Sequence, residues 1–277
     1  MTILGPGLLG ASLGMAARQR GLVQRVRVWA RRAEARNACL GSEWCDSVAE
    51  DPAEAVRESE IVVLCTPVDR IAPLVERVRS GFAPGALLTD VGSTKARICR
   101  ETTSVLPAGV HFVGSHPMAG SEKTGMENAR EDLFNERACI VTPLAGTSEE
   151  ATARIVHFWE ALGMRVTRLS PEEHDRIVAA ISHLPHMLAS VLCSLLSEKP
   201  DSWKALAGTG LLDTTRVAAG SSGLWTSICE HNKDSLLGML EEFQALLREF
   251  SSALREEDWE KVAGLLEEAR LYRLDLQ

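Results

Sequence analysis

The chain has 277 residues, enough to bury a core in one large domain or two modest ones. Its 45% hydrophobic and 25% charged residues are the composition of a water-soluble globular protein. A formal net charge of −8 argues against a nucleic-acid partner, which wants a basic face, but leaves room for an anionic small molecule held by a few local arginines. The seven cysteines are scattered without a CxxC pair and read as reduced thiols of a cytoplasmic protein; the opening MTILGPG lacks the basic and long apolar regions of a secretory signal.

The first half alternates strand and helix. Thr2–Leu4 is a short apolar strand, Gly5-Pro6-Gly7-Leu8-Leu9-Gly10 follows at once, and Ala11–Arg20 reads as a helix. A GxGxxG turn between strand and helix lets a pyrophosphate approach the backbone, and the helix N-terminus offers free N–H donors. A second strand, Val26–Trp29, ends at Ala30-Arg31-Arg32, where an NAD site usually carries an acid for the ribose hydroxyls. With no carboxylate there and two guanidiniums, the reading leans to NADP over NAD, although Arg31 and Arg32 could also simply open a solvated helix.

Further strands are expected at Ile61–Cys65, Ala86–Val91, Val110–Gly114, Ala138–Thr142 and Arg165–Leu169, with helices at Pro52–Glu58, Asp69–Val78 and Ser148–Leu162. This is an α/β Rossmann-type domain with a mostly parallel sheet. Ligands of such sheets bind beyond the carboxyl ends of the strands. Gly5–Gly10, Thr66-Pro67, Gly92–Lys95 and the polar stretch Ser115–Gly125 would meet at that edge.

Strand signals vanish after Ser170-Pro171-Glu172-Glu173, which is a helix start: Ser as N-cap, Pro at the first helical position, Glu at the third. The division is therefore expected at Leu169–Ser170, giving a dinucleotide-binding domain over 1–169 and an all-α domain over 170–277. Ile177–Leu196 has no Asp, Glu, Lys or Arg and is long enough for a membrane span. His183, Pro185 and His186 in its middle argue instead for a helix buried in a protein core, with no membrane partner. The His183/His186 pair has no further ligand at metal spacing, so no metal is expected. Gly208–Trp225 is rich in Gly, Thr and Ser around one cation, Arg216; it reads either as a surface loop with a solvated arginine or as an anchor suited to bidentate binding of a carboxylate. Asp234–Arg255 and Glu257–Leu271 are helices with apolar stripes fit for a second copy of the chain.

Together GPGLLGAS, DVGSTK, GSHPMAGSEKTG, HLPH and DTTRVA…W make the chain resemble the prephenate/arogenate dehydrogenases of tyrosine biosynthesis over nearly its whole length. The resemblance implies a Rossmann-type domain followed by a helical domain that forms a homodimer. It also implies oxidative decarboxylation of prephenate to 4-hydroxyphenylpyruvate, or of arogenate to tyrosine, with hydride transfer to NAD(P)+. Carried over by motif, His116 is the catalytic histidine and Ser93 the serine that orients it and the substrate hydroxyl. Arg216 binds a substrate carboxylate, and His186 lines the substrate pocket with Ser121, Glu122 and Trp225. Gly5, Gly7, Leu8, Leu9, Gly10, Arg31, Arg32, Thr66, Pro67 and Ser93 fall to the cofactor. Two other readings stand beside this one. A β-hydroxyacid dehydrogenase would be expected to use a lysine of the helical domain, for which Lys199 and Lys204 lack a supporting motif. A nicotinamide-binding sensor without turnover would be expected to have lost His116, Ser93 or Arg216.

Overall fold

The computed structural model describes residues 1–120 and 123–276. Its central sheet is parallel throughout, in the order β3-β2-β1-β4-β5-β6, with β1 at Thr2–Leu4, β2 at Arg27–Trp29, β3 at Ser47–Ala49, β4 at Ile61–Leu64, β5 at Leu87–Asp90 and β6 at His111–Phe112. Helices α1 (Leu8–Gln19), α2 (Ala33–Leu40), α3 (Pro52–Ala55), α4 (Val68–Val78) and α5 (Ala96–Ser104) make the crossovers. Successive strand residues face opposite sides, and both sides are buried. Ile3, Val28, Val63 and Leu87 enter one apolar cluster, while Leu4, Trp29, Val62, Leu64 and Leu88 enter the other. The strand order reverses between β1 and β4, which puts the Gly5–Gly10 turn and Thr66-Pro67 side by side at the switch point.

A second sheet joins β7 (Gly114–Pro117), β8 (Ala138–Thr142) and β9 (Arg165–Arg168), antiparallel then parallel, with α6 (Glu149–Ala161) connecting the last two. The sequence predicts one strand over Val110–Gly114; the chain instead leaves the first sheet at Val113. Side chains explain the break. Asp90 accepts the Ser115 N–H at 3.0 Å, and the Lys95 ammonium donates to the Ser115 carbonyl at 2.8 Å, so these backbone groups need no neighbouring strand.

After β9 every described element is helical: α7 (Pro171–Val178), a π-helical turn at Ala179–His183, α8 (Leu184–Ser197), α9 (Thr209–Thr215), α10 (Ser222–His231), α11 (Lys233–Arg255) and α12 (Trp259–Asp275). Ser170 caps α7, accepting the Glu173 N–H at 3.2 Å, with Pro171 in the first turn. The π turn ends two residues before Pro185, whose missing N–H leaves a helical carbonyl to be accommodated. The stretch Gly208–Trp225 is largely helical. It holds α9, a 3-10 turn at Arg216–Ala219 and the start of α10, whose N-cap is Ser221.

Contacts group Met1–Asn232 into one compact unit and Lys233–Gln277 into another. The first extends past β9 because α10 returns Ile228, only 2% exposed, to the apolar cluster that holds Leu64, Ile71 and Leu88. The change at Leu169–Ser170 is the point where strands give way to helices. The second unit is α11 and α12, with Asp258 capping α12 and Lys261 paired to Glu249 at 2.9 Å.

The helix expected to be buried over Ile177–Leu196 is not. The stretch Pro171–Ser197 is long and apolar enough to cross a membrane, and 33% of its most apolar window is buried. Leu184, His186 and Ala189 face inward, whereas Val191 and Leu195 remain 66% and 53% exposed. Periodicity marks a face as apolar, but not which molecule covers it.

Candidate active site

The Gly5–Gly10 turn has the geometry its sequence requires. Gly5 sits at φ +103°, and a Cβ there would fall 2.8 Å from the Cys65 carbonyl oxygen; a Cβ at Gly10 would overlap the Gly5 carbonyl oxygen. Gly7, the N-cap of α1, is exposed and meets nothing on that side. No side chain caps α1 and no acidic residue stands in its first turn, where Leu8 and Leu9 lie, so nothing there competes with an anion. Thr66 brings a buried hydroxyl with no hydrogen-bond partner among the described residues, and Pro67 is the N-cap of α4. Arg31 and Arg32 are both exposed beyond β2. These features fit a dinucleotide phosphate cradle.

His116 lies on β7 and is 8% exposed. Its Nδ1 is 2.8 Å from Nε2 of His174, and Nδ1 of His174 is 2.9 Å from the Asp175 carboxylate, both residues on α7. Asp175 also accepts the backbone N–H groups of Lys95 and Ala96 at 2.7 and 2.9 Å, capping α5 from another element. Burial, with the neighbouring charges of His174, Lys95 and His183, holds His116 well below the ordinary histidine range. Burial likewise lowers His174, against the opposing pull of Asp175. Both rings are neutral at physiological pH.

Beneath them, Asp90 and Lys95 form an ion pair with both side chains at 0% exposure. Asp90 also accepts the Gly92 N–H at 2.8 Å, so the pair ties the end of β5, the turn before α5 and β7 together. The Ser115 hydroxyl is held by Thr89 at 2.6 Å and accepts from Trp159 Nε1 at 2.9 Å.

The helical side brings His186 and Trp225 into a stack, ring centroids 3.5 Å apart and 13° from parallel. His186 is buried, its Nδ1 has no partner among the described residues, and burial lowers its pKa. His183 meets Trp225 edge-on at 6.0 Å and receives the Asn232 amide N–H on Nδ1 at 3.1 Å. Burial lowers it to about 4, and the Ser93 carbonyl lies close enough to favour its proton without meeting hydrogen-bond geometry. Arg216 opens the 3-10 turn after α9 and is exposed. Ser121 and Glu122 lie outside the described residues.

Among the described residues Ser93 makes no hydrogen bond to His116, whose Nδ1 meets His174 instead. The residues sequence reading missed are His174, Asp175, Asp90 and Lys95. DVGSTK carried the last two as part of a recognisable segment without a role. His174-Asp175 looked like the interior of a well-capped helix, because its partners are distant in sequence.

A doubly wound parallel sheet with a glycine cradle at its switch point, and a buried neutral histidine beyond its strands, defines the class of dinucleotide-dependent dehydrogenases. The model of the "Prephenate dehydrogenase, nucleotide-binding domain" matches residues 13–168, and that of the "Prephenate dehydrogenase, dimerization domain" matches 170–268. The chain belongs to the prephenate dehydrogenase family. It is 32% identical to the prephenate dehydrogenase of Bacillus subtilis over 98% of this chain and 74% of that protein. A prephenate dehydrogenase from A. aeolicus, solved in complex with hydroxyphenyl propionate and NAD+, is similar with a TM-score of 0.93 at 26% identity, covering 100% of this chain and 97% of the other. Synechocystis arogenate dehydrogenase is similar with a TM-score of 0.86 at 28% identity, covering 100% and 99%.

Proposed function

We propose that this protein catalyses the oxidative decarboxylation of prephenate to 4-hydroxyphenylpyruvate in tyrosine biosynthesis, as a cytoplasmic homodimer. The observation that carries the reading is His116, buried, neutral and held by another histidine at the carboxyl edge of a dinucleotide-binding sheet. A dinucleotide held at the Gly5–Gly10 turn would supply the hydride acceptor for the ring carbon bearing the hydroxyl. His116 takes the hydroxyl proton, which a neutral imidazole near physiological pH does well. Arg216 holds a substrate carboxylate through a charged fork. His186, stacked on Trp225 with an Nδ1 that has no partner among the described residues, faces the substrate and offers it a polar contact. Ser93 lines the same site, and Ser121 and Glu122 are assigned to the substrate by their sequence motif alone.

The cofactor reading follows from the end of β2. Arg31 and Arg32 are exposed where an acid would repel a 2′-phosphate, so NADP is preferred over NAD. The domain reading assigns 1–169 to the cofactor and 170–277 to substrate and dimerisation. Val191 and Leu195 of α8 are then covered by the second copy rather than by lipid. A second reading, arogenate as substrate, is favoured by the likeness to the Synechocystis enzyme.

One experiment decides among these. Purified protein is given prephenate or arogenate with NAD or NADP, and reduced nicotinamide is followed by absorbance. The expected result is fastest turnover with prephenate and NADP. Turnover with arogenate alone replaces the substrate, a preference for NAD removes the role of Arg31 and Arg32, and no turnover with any pair sinks the enzyme reading.

A further inference from the structure

His116 is useful as a proton acceptor only if its outward nitrogen carries a lone pair. The hydrogen-bond chain behind it bears on that requirement. It begins at Asp175, whose two carboxylate oxygens accept N–H groups from the backbone of Lys95 and Ala96. Backbone N–H groups only donate, so this carboxylate is fixed as an acceptor. The Nδ1 of His174, 2.9 Å away, must therefore carry the proton of that contact. A neutral His174 with its proton on Nδ1 presents Nε2 as a lone pair. His116 Nδ1, 2.8 Å from that lone pair, must donate, which leaves Nε2 of His116 unprotonated. Among the described residues nothing hydrogen-bonds that Nε2. The surroundings agree. His174 is 0% and Asp175 3% exposed, so water does not compete for the chain. The Asn232 amide holds Asp175 through its backbone carbonyl at 2.7 Å and engages His183 Nδ1 at 3.1 Å, and among the described residues no hydrogen bond joins His183 to His174.

We propose that His174 and Asp175 are positioning residues that lock His116 in the tautomer with its proton on Nδ1 and its lone pair on Nε2. The direction of the whole chain is set by the backbone N–H groups at the start of α5. The inference deepens the proposed reaction and rests on it for its consequence, since the lock matters to catalysis only if His116 accepts the substrate proton. The tautomer itself is a property of the resting protein.

The decisive measurement is a two-bond proton–nitrogen correlation spectrum of full-length protein labelled in its histidines, without substrate, with the His116 signal assigned by its loss in His116→Asn. The expected result is a protonated Nδ1 and an unprotonated Nε2. In Asp175→Asn the amide can donate to His174 Nδ1, which reverses the chain; His116 then carries its proton on Nε2, and kcat falls about 10²–10⁴-fold. Because Asp175 also caps α5, a second pair of variants guards against misfolding. His174→Gln places an amide oxygen near the lost Nε2 and keeps the acceptor, so it retains at least about a tenth of kcat, whereas His174→Phe loses about 10²-fold or more with an unchanged KM for the dinucleotide. A proton on Nε2 of His116 in the wild-type protein overturns the inference, as does a folded His174→Phe with nearly wild-type kcat or a folded His174→Gln as impaired as His174→Phe. If the wild-type protein oxidises neither prephenate nor arogenate, the spectrum still decides the tautomer, and the reaction assigned above fails by itself.

Discussion

His116 and His174 share a hydrogen bond of 2.8 Å between two buried imidazoles, one on a strand of the second sheet and one on the first helix after the last strand. Through His174 the bond links His116 to the Asp175 carboxylate that caps α5, so the placement of His116 and the capping of that helix depend on the same group. Replacement of His116 by Asn is expected to preserve the fold and lower kcat by about 10²–10⁴-fold. A variant retaining more than about a tenth of wild-type kcat would remove the general-base role. Because burial keeps the ring neutral below its ordinary value of 6.5, the acid limb of kcat/KM attributable to His116 should lie below that pH.

Arg216 is exposed at the 3-10 turn following α9, on the helical side that also supplies His186 and Trp225. Losing a charge-assisted hydrogen bond to a carboxylate costs about 1.5–3 kcal/mol. Arg216→Ala is therefore expected to raise the substrate KM by about 10–100-fold and to change the dinucleotide KM little. An unchanged substrate KM takes Arg216 out of the site.

Arg31 and Arg32 make a test of the cofactor that leaves the chemistry untouched. The Arg31→Ala/Arg32→Ala double variant should lose about tenfold or more in kcat/KM with NADP while that with NAD holds. Equal losses with both cofactors would mean that the arginines act on the shared part of the dinucleotide, or on the protein alone.

The Asp90–Lys95 pair has no solvent to fall back on. Breaking such a pair by removing one partner costs about 3–5 kcal/mol, because the other charge stays buried. Lys95→Ala should lose about that much in urea unfolding, and Lys95→Met combined with Asp90→Asn should lose less than the single change. A Lys95→Ala protein as stable as wild type would show that water reaches Asp90.

Acid should weaken the fold through its buried histidines. His183 titrates near 4 in the folded protein against an ordinary value of 6.5, so the unfolded chain binds the proton first as pH falls. Its contribution is absent above about pH 6.5, grows as pH drops and reaches about 3 kcal/mol of destabilisation by about pH 4, where the folded form also protonates. His116, His174 and His186 shift in the same direction and steepen the loss. Urea unfolding across that window checks it. His183→Gln should flatten the dependence, and an unaltered slope would place the acid sensitivity elsewhere.

Much of this protein was determined by its sequence alone, because the features concerned are local. A strand, a GxGxxG turn and a helix need only neighbouring residues, and the Gly5 and Gly10 geometry follows from their missing side chains. Ser170, Pro171 and Glu173 start α7 by backbone chemistry within four residues. His116 stood out because reactive groups crowd its stretch. What only the tertiary structure decided are relationships between distant segments. The strand ending at Gly114 left the first sheet because Asp90 and Lys95 satisfied the Ser115 backbone, a substitution no periodicity reveals. Arg216 opens a 3-10 turn and Trp225 lies in α10, a local structure that a run of Gly, Thr and Ser leaves open, since these residues suit caps as well as loops. His174 and Asp175 gained their roles only when α7 met the N-terminus of α5, about 80 residues earlier in the chain. A proton's position on His116 is set there, by backbone N–H groups whose direction exists only once the chain has folded.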